Sequence, residues 1–234
     1  MLSYVQNLIL TKFLKAEKLK YSECIPEGLD KDLFNYHFKF LKEKSYILKD
    51  EECYSLTHLG KKYVQRLDAL GVYKDYFRVS VLVYLVIADA GQQRILLHRR
   101  LRHPYYGDIG VISGKVQYGE KIAAAAQRKF KEETGLNIDP PRLIGVHRKT
   151  RHDKDGEIIE DTLYHCCLAS SYKGELKTKT EFGENFWASL DDAKNYESQN
   201  IAGSKGGIAV LEKIKSNDLS ELFYLEEEQT LTQY

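Results

Sequence analysis

Glu132 and Glu133 stand side by side near the end of a helical run, with Lys129 three and four positions before them. Residues so spaced are neighbours on a helix surface, so these three side chains share one face. Two adjacent carboxylates repel each other unless a cation sits between them, and hard oxygen ligands of this kind suit Mg2+ or Mn2+. Arg128 and Glu120 are a second complementary set, better placed to pair and pin the loop that starts at Gly114 to the helix than to touch a substrate. The helix that must position all of these is well specified. Ala123 to Ala126 and the Gln, Arg, Lys and Glu residues after them are good helix formers. Gly135 supplies the positive φ at which helices commonly stop. Ile122, Ala126 and Phe130 recur every four residues, so another stripe faces a core.

Taken together, residues 114–136 resemble the Nudix box, G-x5-E-x7-R-E-U-x-E-E-x-G-U, where U is a bulky apolar residue. Gly114, Glu120, Arg128, Phe130, Glu132, Glu133, Gly135 and Leu136 match, and Lys129 stands where the pattern has glutamate. A match of this length is specific; an ordinary solvated acidic helix rarely carries so many fixed offsets. The resemblance implies an α/β fold, an α/β/α sandwich on a mixed sheet, over about residues 78–216. It implies a nucleoside diphosphate linked to another moiety as substrate, cleaved within the pyrophosphate. It also implies a divalent ion, Mg2+ or Mn2+, held by Glu132, Glu133 and the Gly114 carbonyl, which would polarise a phosphoryl oxygen and bring water to phosphorus. Glu120, Arg128, Glu132 and Glu133 are then the catalytic set. Glu181, six residues before Trp187 in TEFGENFW, matches the position of a further metal ligand in the family; a solvated loop glutamate is the competing reading.

Lys129 strains the analogy. The family's glutamate at this position is the general base or its close helper, and lysine at neutral pH carries a proton and cannot accept another. Its ammonium also reaches Glu132 and Glu133, in part replacing the charge of a metal. Two outcomes follow. The base comes from outside the box, with Glu157, Glu160, Asp161 and Glu184 as candidates, or the site binds a nucleotide-like ligand without turning it over.

Composition sets outer limits. The chain has 234 residues, 43% hydrophobic and 29% charged, which describes a soluble globular protein with room for one large or two small domains. A net charge of +1 advertises no global affinity for nucleic acid or membrane. No apolar run approaches a membrane span, and the first residues carry lysines where a signal peptide has an unbroken apolar core. Cys24, Cys53, Cys166 and Cys167 have no metal-site spacing. The cytoplasm is the default compartment, with reduced thiols.

Residues 1–75 read as a separate unit, and residues 76–234 as a Nudix domain with a C-terminal helix and tail. Val5, Leu8, Ile9 and Phe13 give one helix stripe. Residues 29–44 give a second helix, 46–49 and 53–57 a hairpin, and 58–68 a closing helix capped by Thr57. Helix, helix, hairpin and helix resemble a winged helix-turn-helix. Asn35, Tyr36 and Lys39, with Asp32, would face DNA from the second helix, a mixed set beside an acidic hairpin tip. Lys12, Lys15, Lys18 and Lys20 form a local positive cluster. DNA binding stands against a docking or homodimerisation role on equal terms.

Between these parts, residues 79–87 read as a buried strand and 94–98 as its partner. Arg99, Arg100 and Arg102 are candidates for phosphate contact, and Tyr105 and Tyr106 for stacking on a base or sugar. Residues 143–149 and 158–170 read as strands around a turn at 152–156, and 207–216 as a helix. Leu222 to Leu225 supply enough apolar bulk for the tail to dock. The sequence supports a divalent-metal-dependent Nudix hydrolase slowed by Lys129. The alternative is an inactive Nudix ligand sensor that controls a DNA-binding winged helix.

Overall fold

The computed structural model describes residues 2–67, 71, 78–89 and 91–231. Residues 2–67, 71 and 101–106 form one compact unit; the other described residues form a second.

In the first unit, Ser3 opens α1 (Tyr4–Thr11) with a capping box: its hydroxyl accepts from the Gln6 N–H while the Gln6 side chain accepts from the Ser3 N–H. A 3-10 turn, Lys12–Lys15, leads to β1 (Leu19–Lys20) and a second 3-10 turn, Tyr21–Cys24. The Asp30 carboxylate accepts from the Asp32 and Leu33 N–H groups, so α2 (Lys31–Glu43) begins after it and not at Leu29. β2 (Ile47–Asp50) and β3 (Cys53–Leu56) make the expected hairpin, and Thr57 caps α3 (His58–Val64). The end expected for this last helix, at Asp68, lies outside the described residues. The sheet order is β1-β3-β2. Ile9, Leu10, Phe13, Phe34, Phe38 and Leu41 fill the core beneath it.

The second unit is built on one mixed sheet. Its strands are β4 (Arg78–Asp89), β5 (Gln92–Arg100), β6 (Ile109–Gly110), β7 (Ile112–Lys115), then β8 (Asn137–Ile138), β9 (Arg142–His152), β10 (Ile158–Ala169), β11 (Tyr172–Lys173), β12 (Gly183–Ser189) and β13 (Phe223–Thr230). The helices are α4 (Ile122–Thr134), α5 (Leu190–Gln199) and α6 (Lys205–Lys215). The main path runs β12-β5-β4-β10-β9-β13, with β6 on β5 and β7 on β4; β8 and β11 pair separately. β10 is parallel to β4 and β13 is parallel to β9, while the other pairs are antiparallel. β4 serves three partners: its first part pairs with β7 and β10, its last four residues with β5.

Strand alternation gives the sheet two apolar faces. Val81, Val83, Leu85, Leu96 and Ile112 pack with Ala125, Ala126 and Phe130 of α4. Tyr84, Val86, Ile95 and Leu97 pack with Leu190 and Ala193 of α5 and Val210, Leu211 and Ile214 of α6. A helix layer therefore covers each face, as the sandwich expectation requires. The tail docks through strand pairing. It adds β13 to the sheet edge, with Leu222 and Tyr224 turned outward and Phe223 lying over Gly145, where a side chain would collide with its ring. Trp187 lies within β12. The four cysteines are unbridged, and no helix among the described residues is long and apolar enough to cross a membrane.

Candidate active site

β7 delivers Gly114 to the edge of α4, because it pairs with β4 at Val81 while Ile112 is buried beside Phe130. The loop from Gly114 then returns to the helix through a clamp. Arg128 donates from Nε to Glu120 Oε1 and from Nη2 to Glu120 Oε2, both at 2.7 Å, and from Nη2 to the Lys115 carbonyl at 3.1 Å. Glu120 also accepts from the Gln117 N–H at 2.9 Å. Hydrogen bonds from Arg128, against a smaller effect of burial, hold the Glu120 carboxyl at a pKa of about 2. Arg128 reaches Glu132 as well, at 3.3 Å. The clamp thus fixes both the loop and the first of the two adjacent carboxylates.

Lys129 lies between the loop and these carboxylates. Its Nζ is 2.9 Å from Glu132 Oε2 and 3.0 Å from Glu133 Oε1. Its stem crosses Gly114 so closely that a Cβ there would collide with Lys129 Cγ, Cδ and Cε. The Phe182 ring caps the ammonium, 5.0 Å from Nζ to its centroid, within cation–π range. Burial works to raise the Glu132 pKa, but hydrogen bonds and charge from Lys129 and Arg128 outweigh it, and the group is held below the ordinary value. The donor chemistry of Glu132 and Glu133 fits a divalent ion, yet the oxygens that would face the ion face an ammonium. Among the described residues, no group of three or more His, Cys, Asp or Glu side chains is arranged to hold a metal.

The C-terminal end of α4 is tied to β12. Gly135 takes φ 78° and ends the helix as expected. The buried Asn185 amide donates to the Glu133 carbonyl at 2.7 Å and the Lys177 carbonyl at 2.8 Å. Its Oδ1 lies 2.9 Å from His98 Nδ1, and His98 Nε2 is 3.3 Å from the Phe182 carbonyl. His98, Phe182 and Asn185 are site residues that sequence reasoning missed. For Phe182 and Asn185 the signal was proximity to Glu181 in TEFGENFW; His98 lies in a distant strand and meets them only through β5–β12 pairing.

The other candidates are dispersed. Glu181 is exposed, next to Phe182 in the turn that reaches Lys129. Glu184 opposes Arg99 in the β12–β5 register, 3.8 Å apart, and alternation from Phe186 and Leu97 sets both on the face of α5 and α6, away from the carboxylates of α4. Glu160 is on that same face. It accepts from Arg151 at 2.7 Å and from the Tyr164 hydroxyl at 2.8 Å; burial opposes ionisation, but Arg151 and Tyr164 hold its pKa at about 2. Asp161 pairs with Arg148, and Glu157 is exposed beside the turn. Arg100 ends β5, whereas Arg102, Tyr105 and Tyr106 cluster with the first unit, where the His103 N–H donates to the Leu14 carbonyl. On α2, Tyr36 is exposed, Lys39 lies 3.8 Å from Glu43, and Asn35 accepts from the Tyr21 hydroxyl.

A mixed sheet with helices on both faces and an arginine-clamped acidic helix at the edge of a glycine strand define a Nudix-type domain. The NUDIX domain model matches residues 76–205, more than half of the chain, and the chain belongs to that family. It is 31% identical over 109 residues to the ADP-ribose pyrophosphatase of Methanocaldococcus jannaschii, covering 45% of this chain and 63% of that one. It is 30% identical over 117 residues to the NAD-capped RNA hydrolase NudC of Vibrio vulnificus, covering 50% of this chain and 39% of the relative. The chain therefore spans less than two thirds of the length of these curated relatives. Its fold is similar to that of the mutator MutT protein of Bacillus halodurans, at 21% identity and a TM-score of 0.52, covering 65% of this chain and 90% of that one.

Proposed function

We propose that this protein is a Nudix phosphohydrolase that cleaves a nucleoside diphosphate linked to another moiety, within the pyrophosphate. The observation that supports it most is the clamp of Arg128 on Glu120, which sets Glu132 and Glu133 below Gly114. Nudix hydrolases generally need a divalent metal. Mg2+ or Mn2+ would be held here by Glu132, Glu133 and the Gly114 carbonyl, with Glu181 adjacent, and when bound would polarise a phosphoryl oxygen. Arg128 and Glu120 are placed to hold the loop rather than to touch substrate. Asn185 holds the Glu133 end of the helix. Glu157, exposed beside the turn, is one alternative base to test. ADP-ribose is the first compound to try, given the named activity of the archaeal relative. The test is a screen of nucleoside-diphosphate compounds with Mg2+ or Mn2+, scored for turnover and for thermal shift; turnover supports the hydrolase, and stabilisation without turnover overturns it.

A second reading is favoured by the first unit. Its β1-β3-β2 order around α2, with Tyr36 70% exposed and Leu33 42% exposed, suits a winged-helix domain over residues 1–75, preceding a Nudix domain over 76–234. In that reading ligand occupancy of the Nudix site regulates DNA binding. Selection from a random duplex pool tests it: an enriched site supports the regulator, and none favours docking or homodimerisation.

A further inference from the structure

We infer that Lys129 is a built-in cation that occupies the carboxylate pair of α4 and competes with divalent ions for it. The inference deepens the phosphohydrolase reading and rests on it, since it concerns how the same site is regulated. Three elements hold the ammonium. α4 supplies Glu132 and Glu133 at 2.9 and 3.0 Å, β7 supplies the side-chain-free surface of Gly114 for the stem, and the turn before β12 supplies the Phe182 ring. The Lys129 side chain is 15% exposed.

The same chain shows what an incidental helix pair looks like. Lys39 and Glu43 on α2 are also four residues apart, but lie at 3.8 Å with side chains 76% and 61% exposed. Such pairs are solvated and contribute little. Lys129 differs in burial, in having two carboxylates at hydrogen-bonding distance, and in a glycine strand that leaves room for its stem.

Competition follows from geometry. Mg2+ requires oxygens at roughly 2.0–2.1 Å. Glu132 Oε2 and Glu133 Oε1 already face Nζ, and Glu132 Oε1 accepts from Arg128 at 3.3 Å. An ion bridging the two carboxylates must therefore displace the ammonium. Until it does, the ammonium offsets one of the two carboxylate charges without metal.

The experiment titrates Mn2+ into the full chain and follows loss of the free-ion electron paramagnetic resonance signal. Wild type is compared with Lys129→Met, Lys129→Glu and, as a control for charge alone, Lys39→Met. Lys129→Met should bind Mn2+ at least roughly tenfold more tightly than wild type, because a unit charge leaves the carboxylates; Lys39→Met should match wild type. Melts guard against a variant that folds poorly. Without metal, Lys129→Met should melt below wild type, and saturating Mn2+ should raise its melting temperature by more. Equal affinity and equal metal-induced shifts in wild type and Lys129→Met overturn the inference and leave the phosphohydrolase reading standing. Absence of binding in every form overturns both. Tighter binding by Lys129→Met, with no turnover of any diphosphate compound by any form, supports the inference and overturns the phosphohydrolase reading alone.

Discussion

At the scale of single residues, the site is a set of ion pairs with unequal jobs. Glu120 and Arg128 form a two-point pair whose side chains are only 14% and 26% exposed. The depressed Glu120 pKa gives a signed expectation. A carboxyl lowered from 4.5 to about 2 in the fold stabilises it fully above about pH 4.5, and that contribution disappears as pH falls toward 2. Glu120→Gln should therefore cost roughly 1–2 kcal/mol at neutral pH, discounted for the partly exposed arginine. The difference in unfolding free energy from wild type should shrink between about pH 4.5 and 2, read by urea denaturation at each pH. A constant difference would show that Arg128 does not stabilise the ionised form. Asn185→Ala removes an amide that satisfies the buried Glu133 carbonyl and the part-buried Lys177 carbonyl, and should cost roughly 1–3 kcal/mol by the same measurement. A loss within about 0.5 kcal/mol would mean that β12 does not anchor the helix end.

At the scale of elements, legibility followed the strength of local pattern. α4 was readable to within a residue or two because its alanine run, its apolar stripe and its closing glycine all agree. The Lys129 contacts were readable from i+3 and i+4 spacing, whereas Arg128 and Glu120 lie eight residues apart, with Glu120 before the helix, and were legible as a complementary pair in the box. β13 was not, because FYLEEEQT places three glutamates in a row, and an edge strand buries only alternate side chains. Two of those charges have tertiary partners: Glu227 accepts from the Lys205 and Gly206 N–H groups at the start of α6, and Arg148 donates to Glu226. α5 was missed as a weakly apolar helix, although Ser189 and Asp192 carry a capping box. Phe182 and Asn185 reach the site only through strand pairing across many residues, which no local pattern encodes. The placement of β13 makes a direct prediction. Gly145 has no side chain where the Phe223 ring lies, so Gly145→Val should force the ring out, at roughly 1–3 kcal/mol. Hydrogen exchange should then accelerate first in residues 223–230; unchanged protection there would contradict the contact.

At the scale of the whole molecule, the chain divides into two compact units. The second has the family's sheet and box, with an ammonium at the position of the box glutamate. The first has an amphipathic α2 beside an acidic hairpin tip. Should the first unit bind duplex DNA, affinity should fall steeply with salt, and a Lys12/Lys15 double substitution should weaken binding to all sequences alike, as measured by fluorescence anisotropy. Binding insensitive to salt would exclude a phosphate-contacting role. The proposed activity is hydrolysis of a diphosphate at the Nudix site. Its most direct test is product release from ADP-ribose with Mn2+, by wild type and by Glu133→Gln at matched concentration. Steady turnover by wild type, reduced by at least roughly 10²-fold in Glu133→Gln, is the predicted result. Turnover that is equal in both forms, or absent from wild type while ADP-ribose raises its melting temperature, would contradict it.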